Sequence, residues 1–242
     1  MIRLSVNVNK VATLRNARGG DRPSVRQAAE VAVAAGCHGI TVHPRPDERH
    51  IRRADVQELA SWLPVELNIE GYPGEEWMRL VERIRPAQAT LVPDPPEVLT
   101  SNSGWKFREV DRLWLVGIVA RLRAAGIRVS LFVDPAPREV EGAKSVGADR
   151  VELYTEAYAR AFATKRRDAV FARYRAAAER ATALGLGVNA GHDLDLENLP
   201  YLAQNLPGLA EVSIGHALIS DALFRGLDST VKAYLAALRR DG

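Results

Sequence analysis

Eight short runs of alternating apolar residues recur along the chain, and a stretch of helical spacing separates each from the next. The runs are LSVNVN (4–9), GITVHP (39–44), VELNIEG (65–71), QATLVPD (88–94), RVSLFVD (128–134), RVELYTE (150–156), LGVNAGH (186–192) and AEVSIGHA (210–217). Period-two alternation marks half-buried strands. The intervening stretches at 24–36, 53–62, 74–85, 108–125, 137–147, 157–184, 195–205 and 217–239 carry helical periodicity. Several close on glycine before the next strand (AAGCHG, RAAGIR, SVGADR, ALGLGV), as helix ends do. Strict β–α alternation at 242 residues predicts one (β/α)₈ TIM barrel over 1–242, with room for extra helices. A doubly wound sheet is the rival, but no GxGxxG follows the first strand.

The alternation also predicts what lines the lumen. Leu4, Val6 and Val8 share one face of the first strand, and Ser5, Asn7 and Asn9 the other. Val65, Leu67 and Ile69 oppose Glu66, Asn68 and Glu70, while Val151 and Leu153 oppose Glu152 and Tyr154. With the apolar face under the helices, the polar face points inward. Barrel interiors are usually filled by branched apolar residues, so a polar interior is expected here, reached by a ligand or water that satisfies it. His192 and His216 break the parity, and each follows a glycine, so the backbone should leave strand geometry there.

Composition excludes several classes. Apolar residues make up 47% and charged residues 26%, ordinary values for a globular chain. A lone Cys37 forms no internal bridge, no apolar run reaches membrane-spanning length, and MIRLSVNVNK is too short and polar for a signal peptide. A cytoplasmic protein without a membrane partner is expected. The net charge is +3, and only five of the 33 basic residues are lysines, at 10, 106, 144, 165 and 232. No basic block interleaved with aromatics suggests nucleic-acid binding, although a non-catalytic RNA-binding scaffold stays open as an alternative.

Chemistry-bearing residues gather where the strands end. Catalytic groups of (β/α)₈ enzymes sit at the strands' carboxyl ends, and His43, Glu70, Asp94, Asp134, His192 and His216 fall there. Four of the five histidines share that rim, His50 included, and His38 lies at the opposite end. Zinc is weighed for His43, His192, His216 and Glu70, but no HxH or HExxH pair occurs, so acid–base work is the preferred reading and no metal is expected. In SIGHALIS (213–220) a glycine leads straight into a helix, whose free N–H groups suit a phosphate. LTSNSGWKF (99–107) has the composition of a mobile lid.

These residues resemble a known family. ATLRNARGG (12–20), GITVHPRPDERHI (39–51), LNIEG (67–71), LVPD with LTS (91–94, 99–101), VSLFVD (129–134), VELYT (151–155), VNAGH (188–192) and IGHALI (214–219) look like the pyridoxine 5′-phosphate synthases, in the same order from residue 4 to about 235. The resemblance implies condensation of 1-deoxy-D-xylulose 5-phosphate with 3-amino-2-oxopropyl phosphate, giving pyridoxine 5′-phosphate, phosphate and water, with no cofactor. It implies His43 and Glu70 as proton acceptors and His192 as proton donor. Asn7, Arg18, Arg45, His50 and Thr100 match substrate-contacting positions, and Gly215 with His216 matches the phosphate turn. It also implies a homo-octamer in which Arg18 helps complete a neighbour's site.

Two departures stand out. Asn9-Lys10 replaces an Asp-His pair that contacts the xylulose phosphate in most members, and both are carried over as substrate-binding. Asp193 stands where the family has glycine; carried over as a substrate contact through its backbone, it should turn its side chain away from phosphate. Another phosphosugar isomerase or aldolase is the enzymatic alternative.

Overall fold

Residues 1–93 and 103–240 are described by a computed structural model. Each alternating run forms a strand: β1 (Arg3–Asn7), β2 (Gly39–Val42), β3 (Glu66–Gly71), β4 (Gln88–Leu91), β5 (Arg128–Val133), β6 (Arg150–Tyr154), β7 (Gly187–Gly191) and β8 (Leu209–Ile214). All pair in parallel in sequence order, and β8 returns to β1, closing a (β/α)₈ barrel.

Around it run α1 (Asn9–Asn16), α2 (Val25–Ala34), α3 (Arg53–Trp62), α4 (Glu75–Ile84), α5 (Arg112–Ala124), α6 (Pro137–Ser145), α7 (Glu156–Ala161), α8 (Arg167–Ala183), α9 (Leu199–Asn205), α10 (His216–Arg225) and α11 (Leu227–Ala237). The extra helices have local causes. The Asn7 side-chain oxygen accepts the Asn9 N–H at 3.0 Å, which ends the first strand two residues early and starts α1, a helix the periodicity did not predict. The helical stretch expected from 217 to 239 is two helices, because Gly226 at φ 78° ends one and opens the next. The stretch from 157 to 184 likewise divides at 162–166, where the Thr164 hydroxyl donates to the Ala161 carbonyl. The fifth helix starts at Arg112 rather than 108, since the Asp111 carboxylate caps the Leu113 and Trp114 amides.

The strand faces fall as the parity predicts. Leu4, Val6, Ile40, Ile69, Leu131, Val151 and Val188 are fully buried under the helices. Inside, polar side chains bond to one another from stave to stave. Ser5 and Thr41 share a hydrogen bond of 2.6 Å, Asn68 donates to Thr41 at 3.3 Å, and Thr90 donates to Asn68 at 3.0 Å. Lower down, Gln88 and Asn189 both donate to Glu211, at 3.3 and 3.4 Å. At the amino end, Glu66 pairs with Arg3 (2.8 Å) and with Arg128, and Arg150 reaches Asn189 at 3.0 Å. Most of these buried polar groups thus find a partner on another strand, which limits the desolvation penalty of a polar lumen, while the Ser130 hydroxyl and one Glu152 oxygen have none among the described residues.

The lid reading of 99–107 is corrected where it can be seen. Residues 99–102, with Thr100, lie outside the described residues, as does Asp94. From Trp105 onward the chain is docked. Trp105 donates its indole N–H to the Leu91 carbonyl at 2.9 Å, and both Trp105 and Phe107 are buried. These aromatic anchors outweigh the polar composition that suggested mobility.

Candidate active site

The carboxyl ends of β1, β2, β3, β7 and β8 surround one cavity, and His43, Glu70, His192 and His216 all line it. The backbone brings them there by leaving strand geometry early. The Asn9 side chain accepts the His43 amide at 2.9 Å, tying the start of α1 to the end of β2. Beyond β7, His192 and Asp193 both take positive φ, 86° and 56°. Beyond β8, Gly215 leads into α10 with His216 as its first residue. The breaks in parity expected at both histidines are therefore present.

His43 and Glu70 form the centre, with Nδ1 and Oε2 4.0 Å apart. The Asn7 amide donates to the same Glu70 oxygen at 3.5 Å. Burial pushes the Glu70 carboxyl up to about 7, although His192, the Ser213 hydroxyl and Arg45 each pull it down. Burial, reinforced by Arg45, His50 and Arg49, holds His43 well below the usual imidazole range. One group is thus a neutral imidazole and the other a carboxyl that exchanges protons near neutrality, a combination suited to acid–base catalysis.

His50 stands beside them, its ring 6.1 Å from that of His43. Its Nδ1 accepts the Ile51 amide at 2.9 Å, so the neutral ring carries its hydrogen on Nε2. Burial, then Arg45, Arg49 and Lys10, lowers it to about 4. The segment carrying Arg45 and His50 rests on a buried ion pair: Arg15 bonds both oxygens of Asp55, at 2.5 and 2.9 Å, and reaches the His50 carbonyl at 3.1 Å. Asn16 donates to the carbonyls of Glu48 and His50. In the sequence this support reads only as part of a loop and a helix, because its partners lie 40 residues apart.

Lys10 lines the mouth from α1, and Asp193 and Gly215 line it from the ends of β7 and β8. A Cβ at Gly215 would lie 3.1 Å from the Asn7 side chain, so a larger residue there would press on Asn7. The free N–H groups of the ten-residue α10 open toward this cavity, where an anion is favoured. Arg18 is exposed in the turn after α1 and does not line the cavity of its own chain. Asp134 accepts the Gly104 amide at 3.0 Å and serves the wall. His38 accepts the Leu4 amide near the amino end, away from the site.

Glu152 was missed as a site residue. It lies beneath the mouth, 4% exposed, and its Oε2 has no hydrogen-bond partner among the described residues. Burial, then the neighbouring Glu70 and Glu211, raises it well above the usual carboxyl range, which favours its protonated form. The inward phase of VELY was legible, but phase does not tell how deep a side chain sits.

A closed barrel with titrating groups at one rim and anion-holding groups around them is the build of a (β/α)₈ enzyme, and this chain is one. The fold resembles tryptophan synthase from M. tuberculosis (TM-score 0.65, 16% identity, covering 98% of this chain and 92% of that one) and phosphoribosyl anthranilate isomerase from Thermotoga maritima (TM-score 0.60, 14% identity, covering 98% of each). At such identities only the architecture is shared. The family model described as "Pyridoxal phosphate biosynthesis protein PdxJ" matches residues 4–240. The chain is 55% identical over 239 residues to the pyridoxine 5′-phosphate synthase of Bacteroides thetaiotaomicron, covering 99% of this chain and all of the relative. It is 53% identical over 240 residues to that of Cytophaga hutchinsonii, with the same coverage. The chain belongs to the PdxJ family and is an enzyme of vitamin B6 biosynthesis.

Proposed function

We propose that this chain is a pyridoxine 5′-phosphate synthase, condensing 1-deoxy-D-xylulose 5-phosphate with 3-amino-2-oxopropyl phosphate to pyridoxine 5′-phosphate, phosphate and water. The observation that carries the reading is the pairing of His43 with a Glu70 lifted to about 7, inside a mouth that also holds His192 and the start of α10.

The amine of one substrate adds to the ketone of the other. Loss of water to the imine then needs a proton given on one side and taken on another. In this reading His192 gives the proton, while Glu70 and His43 take protons from nitrogen and carbon as the ring closes. Glu152, protonated beneath them, donates a hydrogen bond to an oxygen held at the base of the cavity. Asn7, Asn9, Lys10, Arg45, His50 and Thr100 contact the xylulose phosphate or its partner, and Gly215 with His216 holds a phosphate. The copies assemble in the cytoplasm as an octamer in which Arg18, exposed and outside its own cavity, serves a neighbour's site. Among the described residues no helix is long and apolar enough to cross a membrane. A Schiff-base aldolase gains no support, because Lys10 sits exposed on α1 rather than in the lumen.

The test is turnover of both substrates by the purified protein, with phosphate and pyridoxine 5′-phosphate measured together. His43→Ala and Glu70→Gln should fold and lose both products. Absence of product from the wild type, or its persistence in both variants, refutes the assignment.

A further inference from the structure

His192 and Asp193 are neighbours in sequence, and in a strand their side chains would point to opposite faces. They do not. Both residues lie in the left-handed region, a conformation that among the described residues only Glu48 and Arg85 share outside glycine. Two successive left-handed residues turn the side chains to one side, and His192 Nδ1 meets Asp193 Oδ2 at 2.9 Å. Non-glycine residues persist in that region only where the surroundings fix them, and here they do. The Thr155 hydroxyl bonds the Gly191 carbonyl at 2.6 Å and also the His192 carbonyl, while the Asn198 amide donates to the Asp193 carbonyl at 3.1 Å. The Tyr154 ring stands edge-on to the imidazole, with centroids 5.0 Å apart at 85°, and limits its rotation.

We propose that Asp193 is a positioning residue for His192: its carboxylate takes the Nδ1 hydrogen and leaves Nε2 as the nitrogen that exchanges protons with substrate. An ionised carboxylate can only accept, so the 2.9 Å contact requires the hydrogen on Nδ1. The ion state follows from the surroundings, since His192 first, then His216 and Arg160, hold the Asp193 carboxyl below its usual range. This arrangement fixes both tautomer and ring orientation, as an acid–base histidine needs. It also answers how an aspartate is tolerated beside a phosphate turn: its charge is directed to the imidazole. The inference rests on the reading of His192 as a proton donor.

Two variants and one spectrum test it. Asp193→Gly removes the acceptor and suits the positive φ, so it should fold; Asp193→Asn keeps a neutral acceptor. With ¹⁵N-histidine protein at pH 8, and His192→Gln to assign the signal, the wild type should show hydrogen on Nδ1, and Asp193→Gly should lose that preference. Turnover with both substrates should fall about tenfold or more in Asp193→Gly with KM little changed, and Asp193→Asn should recover part of it. A wild-type signal with hydrogen on Nε2, or an Asp193→Gly variant with lower KM and undiminished kcat, overturns the proposal; the latter would place the carboxylate against phosphate. The spectrum needs no turnover, so a protein with the expected tautomer but no synthase activity refutes the reaction and leaves the hydrogen-bonding relationship standing.

Discussion

His43 and Glu70 face each other at 4.0 Å from adjacent strand ends, and burial drives both toward their neutral forms. Their working pH follows. Because the folded-state value of Glu70, about 7, lies above its ordinary 4.5, the fold favours the protonated carboxyl. That stability is fully present below 4.5 and drains as pH rises through 7, by a few kcal/mol at most. If the ionised form is the base, turnover rises over the same interval. Glu70→Gln should remove the slope, be at least as stable as wild type at pH 8, and lose about 10²–10⁴ in kcat. Denaturant titrations at pH 5 and 8, with a turnover–pH profile, decide it; a variant that is less stable at pH 8 contradicts the account.

His50 is lowered in the fold from 6.5 to about 4. Its contribution to stability is therefore present above 6.5 and is lost as pH falls toward 4. Proton NMR of its ring should show a midpoint near 4, and Lys10→Ala should move that midpoint upward by removing a nearby cation. A midpoint above 6 would mean that the ring is solvated and the rim differently arranged.

Arg15→Ala strands a buried Asp55 and frees the segment that carries His50. The loss should be about 3–5 kcal/mol, with KM for the phosphorylated substrates rising. Replacing the pair together, as Arg15→Met with Asp55→Leu, should restore much of the stability but not the KM, because the bond to the His50 carbonyl stays broken. Thermal unfolding beside steady-state kinetics separates the two effects.

Gly191→Ala would place a methyl group into the Glu152 carboxyl and 3.1 Å from the Ser213 carbonyl. Destabilisation of about 1–3 kcal/mol is expected, together with lower kcat as Glu152 is displaced. A neutral outcome in both measurements would mean that Glu152 has room to move and is not held for the reaction.

The strands and their faces were legible because Leu4-Val6 and Leu67-Ile69 alternate strictly with Ser5, Asn68 and Glu70. The rim was legible for the same reason, since a strand's end fixes where His43 and Glu70 emerge. What escaped depends on side chains acting at a distance or against local geometry. Helix α1 follows from one Asn7 hydrogen bond, and the Arg15–Asp55 support joins segments far apart in the chain. The burial of Glu152 is a matter of depth. The turn that pairs His192 with Asp193 inverts what adjacency implies, and nothing in the letters GHD announces left-handed backbone.

The hydrogen-bonded row from Ser5 through Thr41 and Asn68 to Thr90, across four adjacent strands, has a consequence for how this barrel can vary. A lumen stacked with hydrocarbon accepts many residues of equal volume. Here each donor is keyed to an acceptor on the next stave, so drift at one position strands its neighbour. Relatives should therefore change these residues in matched couples, and covariation along the row should be stronger than anywhere on the helices outside it.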